Sequence, residues 1–187
     1  MNLRKKMRRG SLAALITLAL TSSALAMPTG GIVQSGDVNI GGSTDFSTVA
    51  NGATITSTTD SAINWATFNI LSGETLNFNI ADGKTLVNNV TGSQLSDILG
   101  KMNQPGGGGY GGYVVLVNPN GIHVGGNAVL NVANLTLSTL AMTESGNQLS
   151  FVKGATNGTI NIDGSATFNA VDNVSIFAGK VNVADGV

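Results

Sequence analysis

Gly158-Thr159-Ile160-Asn161-Ile162-Asp163-Gly164 returns, offset by 21, as Gly179-Lys180-Val181-Asn182-Val183-Ala184-Asp185-Gly186. Each copy places two β-branched residues on either side of an Asn, the period-two pattern of a strand with one buried face. Glycine punctuates both ends. A looser echo relates Asn134-Leu135-Thr136-Leu137 to Asn173-Val174-Ser175-Ile176, at an offset of 39 that reads as close to two turns of the same period. Repeats of this length, made of short strands and glycine corners, predict an all-β chain wound as a β-solenoid. Each coil then buries its inward aliphatics and stacks about 4.8 Å from its neighbour. Val, Ile, Leu and Phe form apolar columns, while Asn and Thr stack or satisfy the backbone at corners. A β-sandwich joined by hairpins is the alternative, and the shorter echo argues against it.

Outward from the repeat, Val114 to Leu140 holds the most specific local signal. Val114 to Val117 is a strand run that stops at Asn118-Pro119-Asn120-Gly121. That tetrapeptide has the chemistry of a tight turn: Asn bonds its own backbone, Pro presets φ, the second Asn tolerates an unusual φ, and Gly closes. Strand resumes at Ile122 and Val124, then in the alternation Val129, Asn131, Leu135, Leu137. Further back, Ile63 to Ile70 carries the only Trp. Its apolar positions 63, 65, 68 and 70 imply a strand with a local slip or bulge. Short strands are expected at Thr75 to Ile80 and Thr85 to Val90. Thr29 to Thr59 reads as an opening β cap. Leu95, Ile98, Leu99 and Met102 recur at helical spacing, which permits a turn of helix over Ser93 to Met102. Pro105 and Gly106 to Gly112 form a flexible excursion; their glycine spacing precedes no amphipathic helix and makes no phosphate site.

Composition agrees with this class. Of 187 residues only 10% are charged, 26 are Gly and none is Cys. Five of the nine basic residues lie in the first nine positions, followed by the apolar run Leu12 to Leu20 and by Ala24-Leu25-Ala26. That order predicts a secretory signal peptide over residues 1–26, with Ala24 and Ala26 as the small residues of the cleavage site. The apolar run is short for a membrane span. From Met27 onward four lysines face ten acidic residues, a net charge of −6. A nucleic-acid partner is thereby excluded. A cysteine-free chain also cannot be trapped by disulfides in an oxidising compartment.

These residues resemble the N-terminal two-partner-secretion (TPS) domain, or haemagglutination activity domain, of filamentous haemagglutinin-like exoproteins. The matching elements are Ile63-Asn64-Trp65 with Phe68-Asn69-Ile70, Leu86 to Gly92, Val117-Asn118-Pro119-Asn120-Gly121-Ile122, and Gly125 through Leu140. Compared with the family, Gln104 to Gly112 is expanded. The resemblance implies a right-handed parallel β-helix over residues 27–187, leading a longer exoprotein. It implies export through the periplasm of a Gram-negative bacterium to the cell surface or medium. The partner is a dedicated outer-membrane barrel of the TpsB type, whose POTRA domains recognise the chain. Asn118, Pro119, Asn120, Gly121 and Ile122, with Ile63, Asn64, Trp65, Phe68 and Asn69, are the candidate recognition residues. A purely structural role is the favoured reading of the turn, and a core or cap role that of Trp65 and Phe68. The exoprotein is expected to be an adhesin contacting host or neighbouring cells. A contact-dependent inhibition toxin, a haemolysin or a short matrix protein are the alternatives; the sequence after Val187 separates adhesin from toxin, and a stop codon there favours the matrix protein.

No catalytic, cofactor or metal site is expected. His123 is the only histidine and sits at an outward strand position. The carboxylates are dispersed along the sequence and no Arg follows Arg9. That leaves no triad, zinc site or grouped carboxylate pair.

Overall fold

The computed structural model describes residues 27–41, 52–104, 111–145, 148–170 and 172–187. The leader with Ala24 and Ala26, and the tip of the glycine-rich excursion, lie outside them. The described residues form strands and no helix: β1 (Ile32–Ser35), β2 (Val38–Asn39), β3 (Gly52–Ser57), β4 (Ser61–Trp65), β5 (Thr75–Ile80), β6 (Thr85–Val90), β7 (Ser96–Ile98), β8 (Lys101–Asn103) and β9 (Tyr113–Val117) in the first half. The second half holds β10 (Ile122–Val124), β11 (Val129–Asn131), β12 (Asn134–Ser138), β13 (Ala141–Ser145), β14 (Gln148–Val152), β15 (Thr159–Ile162), β16 (Thr167–Phe168), β17 (Asn173–Phe177) and β18 (Lys180–Val183).

The chain winds through three parallel faces in turn. One face stacks β4, β6, β9, β12 and β17, a second stacks β7, β10, β15 and β18, and a third stacks β3, β5, β8, β11 and β16. This is a parallel β-helix. The expected strands at 75–80 and 85–90 are β5 and β6. The shorter echo is the pairing of β15 with β18, in which Ile160 faces Val181 and Ile162 faces Val183.

Inward columns explain why these sequences stack. Leu86, Val114, Leu135 and Val174 are successive register partners on the first face. Ile122 and Ile160 follow Ser96 on the second, and Leu76, Met102 and Leu130 line the third. Outward positions carry amide ladders: Asn103 Nδ2 donates to Asn77 Oδ1 and Asn131 Nδ2 to Asn103 Oδ1, both at 2.9 Å. Asn182 continues the pattern by donating to Asn161 at 2.7 Å. Neutral amides can thus stack where like charges would repel.

The described part of the expected cap that closes the N-terminal end is residues 29–41; residues 42–51 lie outside the described ones, and Gly52–Ser57 already belongs to the third parallel face. β1 and β2 pair antiparallel with β4 and β3. Thr29 donates its N–H to the Thr67 carbonyl at 3.0 Å, and the two hydroxyls lie 2.8 Å apart. Gly31 lies against the Trp65 ring, where a Cβ would come within 2.5 Å of an indole carbon.

Several sequence expectations are corrected. Ser93 to Met102 forms no helix: it contributes β7 and β8 around a corner, because Ile98 and Met102 are buried on two different faces while Leu95 is exposed. Ile63 to Ile70 is a corner rather than a bulged strand. β4 ends at Trp65, and Ile70 bridges Ile98 on the second face. The alternation from Val129 to Leu137 breaks between β11 and β12 for the same reason. Finally, the longer echo is one coil, since β12 pairs directly with β17. The extra length is the antiparallel hairpin β13–β14, which leaves the helix between β12 and β15. It folds back so that Met142, Leu149 and Phe151 cover the outward-facing Val87, Val115 and Val117. Phe151 stacks on Phe177 at 4.9 Å.

Candidate recognition element

Asn118 follows β9 directly and is fully buried. Its side-chain amide donates to the Gln94 carbonyl at 3.0 Å and to Ser96 Oγ at 2.9 Å. Its Oδ1 accepts the Asn120 N–H at 3.0 Å, which makes the local turn, and Gly121 N–H closes it onto the Asn118 carbonyl at 3.1 Å. Asn120 reaches back to the Gly92 carbonyl at 2.8 Å. The backbone binds forward: Asn118 N–H donates to the Ser138 carbonyl, and the Pro119 carbonyl accepts Gly158 N–H at 2.8 Å. Gly121 holds φ at +135°, a conformation that disfavours any side chain. The tetrapeptide is therefore a staple. Its side chains fasten the coil below and its backbone fastens the coil above.

The second candidate element is equally interior. Ile63, Trp65, Phe68 and Ile70 are fully buried, with Trp65 and Phe68 edge to face at 6.0 Å. Trp65 Nε1 donates to Asn88 Oδ1 at 3.1 Å, and Asn88 Nδ2 donates to the Val115 carbonyl at 3.4 Å. Asn88 stands in an otherwise aliphatic column between Ile63 and Leu116. Its partners compensate the burial of that amide. Asn64 accepts from Asn89 at 2.9 Å, and Asn69 Oδ1 accepts the Asp97 N–H at 2.9 Å. Trp65 and Asn118 are distant in sequence, yet the two elements are joined through Asn88, β9 and the turn that ends it. Ile122 begins β10 after the turn and is buried.

Sequence reasoning missed one cluster. His123 faces outward from β10, as expected, but it is not idle: Nδ1 lies 2.9 Å from Asp97 Oδ1 and Nε2 lies 3.0 Å from Asp163 Oδ2. The dispersed carboxylates are thus partly gathered by coil stacking. Burial lowers the affinity of the ring for a proton, but the hydrogen bonds and charges of Asp163 and Asp97 outweigh it and hold the imidazole pKa above its ordinary value. In the sequence these two carboxylates are marked only by their distance from His123, which means nothing until coil lengths are known. Among the described residues no group of His, Cys, Asp and Glu is arranged to hold a metal ion. The cleft beside β13–β14 is lined in part by Asp60, Thr85, Val87 and Leu149, and Asp60 already accepts Thr85 N–H at 2.9 Å.

The match of residues 25–187 to the TPS secretion domain places the chain in that family. It is 34% identical over 125 residues, 66% of this chain, to a heme/hemopexin-binding protein of Haemophilus influenzae, of which it spans 12%. The crystal structure of the HMW1 secretion domain from Haemophilus influenzae aligns with a TM-score of 0.60 and 26% identity, over 85% of this chain and 41% of that one. The chain therefore spans less than half the length of either relative. It has the right-handed parallel β-helix of two-partner secretion domains. Proteins bearing such domains are secreted by Gram-negative bacteria with the help of a dedicated outer-membrane transporter.

Proposed function

We propose that this domain is the export signal of its exoprotein, read in the periplasm by POTRA domains of an outer-membrane barrel before the chain folds. Its coils then template β-helix folding outside the cell. The observation that carries this reading is the burial of the central side chains of both candidate motifs: Asn118, Trp65 and Phe68 expose nothing to solvent, while Asn64, Asn69, Pro119 and Asn120 are half-buried. A transporter that reads the three buried side chains must meet them in an unfolded chain. An extended segment pairing with a POTRA strand edge would supply backbone hydrogen bonds, with alternate side chains giving specificity.

Two properties support delay of folding until after recognition. Every parallel pairing joins strands separated by a full coil of chain, and such non-local contacts fold slowly. No cysteine is present to lock a premature fold. Folding outside then favours outward movement without a nucleotide.

The domain is read as non-enzymatic, since a sequence with one histidine, no cysteine and no arginine after Arg9 offers few groups for nucleophilic or acid-base catalysis. The exported protein is taken to be a surface adhesin. The likeness to a heme/hemopexin-binding protein lies within 12% of that protein's length and supports secretion rather than haem binding. Expression of the chain with and without its barrel partner tests the proposal. Export to the medium is expected only with the partner and only while its POTRA domains are intact. Equal release without them would overturn it.

A further inference from the structure

We propose that His123 is a proton-operated clasp, bound as an imidazolium between the carboxylates of Asp97 and Asp163, that makes the stacking of three successive coils more favourable in acid than above neutrality. The geometry carries this. Both ring nitrogens sit at hydrogen-bond distance from a carboxylate oxygen, 2.9 Å on one side and 3.0 Å on the other. An ionised carboxylate only accepts, whereas a neutral imidazole has one N–H and one lone pair. Only the doubly protonated ring donates to both. Loss of the proton leaves one nitrogen lone pair facing a carboxylate, and one of the two contacts fails.

The position gives the clasp leverage. β10 is paired with β7 below and β15 above. The connection to β15 carries the β13–β14 hairpin, so pairing Ile122 with Ile160 closes a long loop. Asp163 follows β15 directly and is fixed by donating its N–H to the Val124 carbonyl at 2.9 Å. Asp97 is fixed through its N–H to Asn69 Oδ1. The ring therefore spans fixed points on both neighbours. The charged groups reaching it are Asp97 from β7 and Asp163 from the end of β15. Asn161, its register partner on β15, is neutral, and Ile122 and Val124 beside it are apolar.

The sign follows from the raised pKa of the folded state. The stabilisation is present in full below the unfolded imidazole value of about 6.5 and is lost as pH rises through the higher folded value. Within that window the folding constant falls at most about tenfold per pH unit, the limit for one proton. The chain has no cysteine and no other histidine, so few groups compete in this range.

Urea unfolding of the chain from pH 5.5 to 8.5 at low ionic strength tests the clasp, together with proton NMR of the single imidazole. The native chain should lose stability as pH rises, His123→Asn should flatten that slope, and Asp163→Asn should shift the imidazole titration to lower pH. An unchanged slope in His123→Asn overturns the proposal. So does an imidazole in the native chain that titrates at or below the unfolded value, a reading that stands even if a variant does not fold.

Discussion

Asn118 ties three coils together, bonding Gln94 and Ser96 below through its side chain and Ser138 above through its N–H. Alanine keeps only the backbone bonds. Asn118→Ala leaves Ser96 Oγ, the Gln94 carbonyl and the Asn120 N–H short of a partner, and is expected to cost about 2–4 kcal/mol by urea denaturation. Pro119 is half-buried and uses only its carbonyl, so Pro119→Ala is expected to stay within about 1 kcal/mol of the native chain. Trp65 and Asn88 form a second test. Trp65→Phe strands the Asn88 side-chain carbonyl, at a cost of about 2–3 kcal/mol, and adding Asn88→Leu should recover part of the loss because both polar partners are then gone. A double-mutant cycle with no coupling would contradict the hydrogen bond as the reason for Asn88 in an aliphatic column. Of these roles the turn was legible from sequence, since Asn-Pro-Asn-Gly is locally determined. The vertical bonds to Gln94, Ser96 and Gly92 were not, because they depend on where the coil below passes.

Elements obey the same division between local and stacked information. β5 and β6 were legible because each carries its own strand pattern after a glycine with positive φ, Gly73 and Gly83. β7 and β8 were not: three-residue strands separated by a corner place apolar residues at spacings that imitate a helix. The hairpin β13–β14 hid in the same way. It lengthens one coil on all three faces, where Ile122 pairs with Ile160, Val129 with Thr167 and Asn134 with Asn173, so a single turn looked like two. Its physical role is to cover Val87, Val115 and Val117, aliphatics on the outward side of the helix. Replacing the hairpin by a short turn is expected to preserve the far-ultraviolet β signal while raising binding of a hydrophobic dye to the uncovered valines. Loss of the β signal would show instead that the hairpin is required for coil stacking.

For the molecule as a whole, architecture was readable from one uninterrupted repeat and from the shortage of charge. The periodicity elsewhere was blurred by corners of unequal length, which set Gly52 against Thr75, Ser61 against Leu86 and Thr85 against Tyr113. The His123 cluster was hidden by that blur, since its members meet only after those lengths are fixed. The assembled helix buries Asn118, Trp65 and Phe68, so under the proposed reading a transporter contacts these three side chains only before folding. Leu116 offers a way to separate the two states. It is fully buried between Asn88 and Leu137, and Leu116→Asp would place a carboxylate in the core and prevent folding. The most direct measurement is the affinity of the isolated POTRA domains for the native chain and for Leu116→Asp, with the folded state of each checked by proteolysis. The unfolded variant is expected to bind at least about tenfold more tightly, a difference of about 1.4 kcal/mol. Equal or tighter binding to the folded β-helix would contradict recognition before folding.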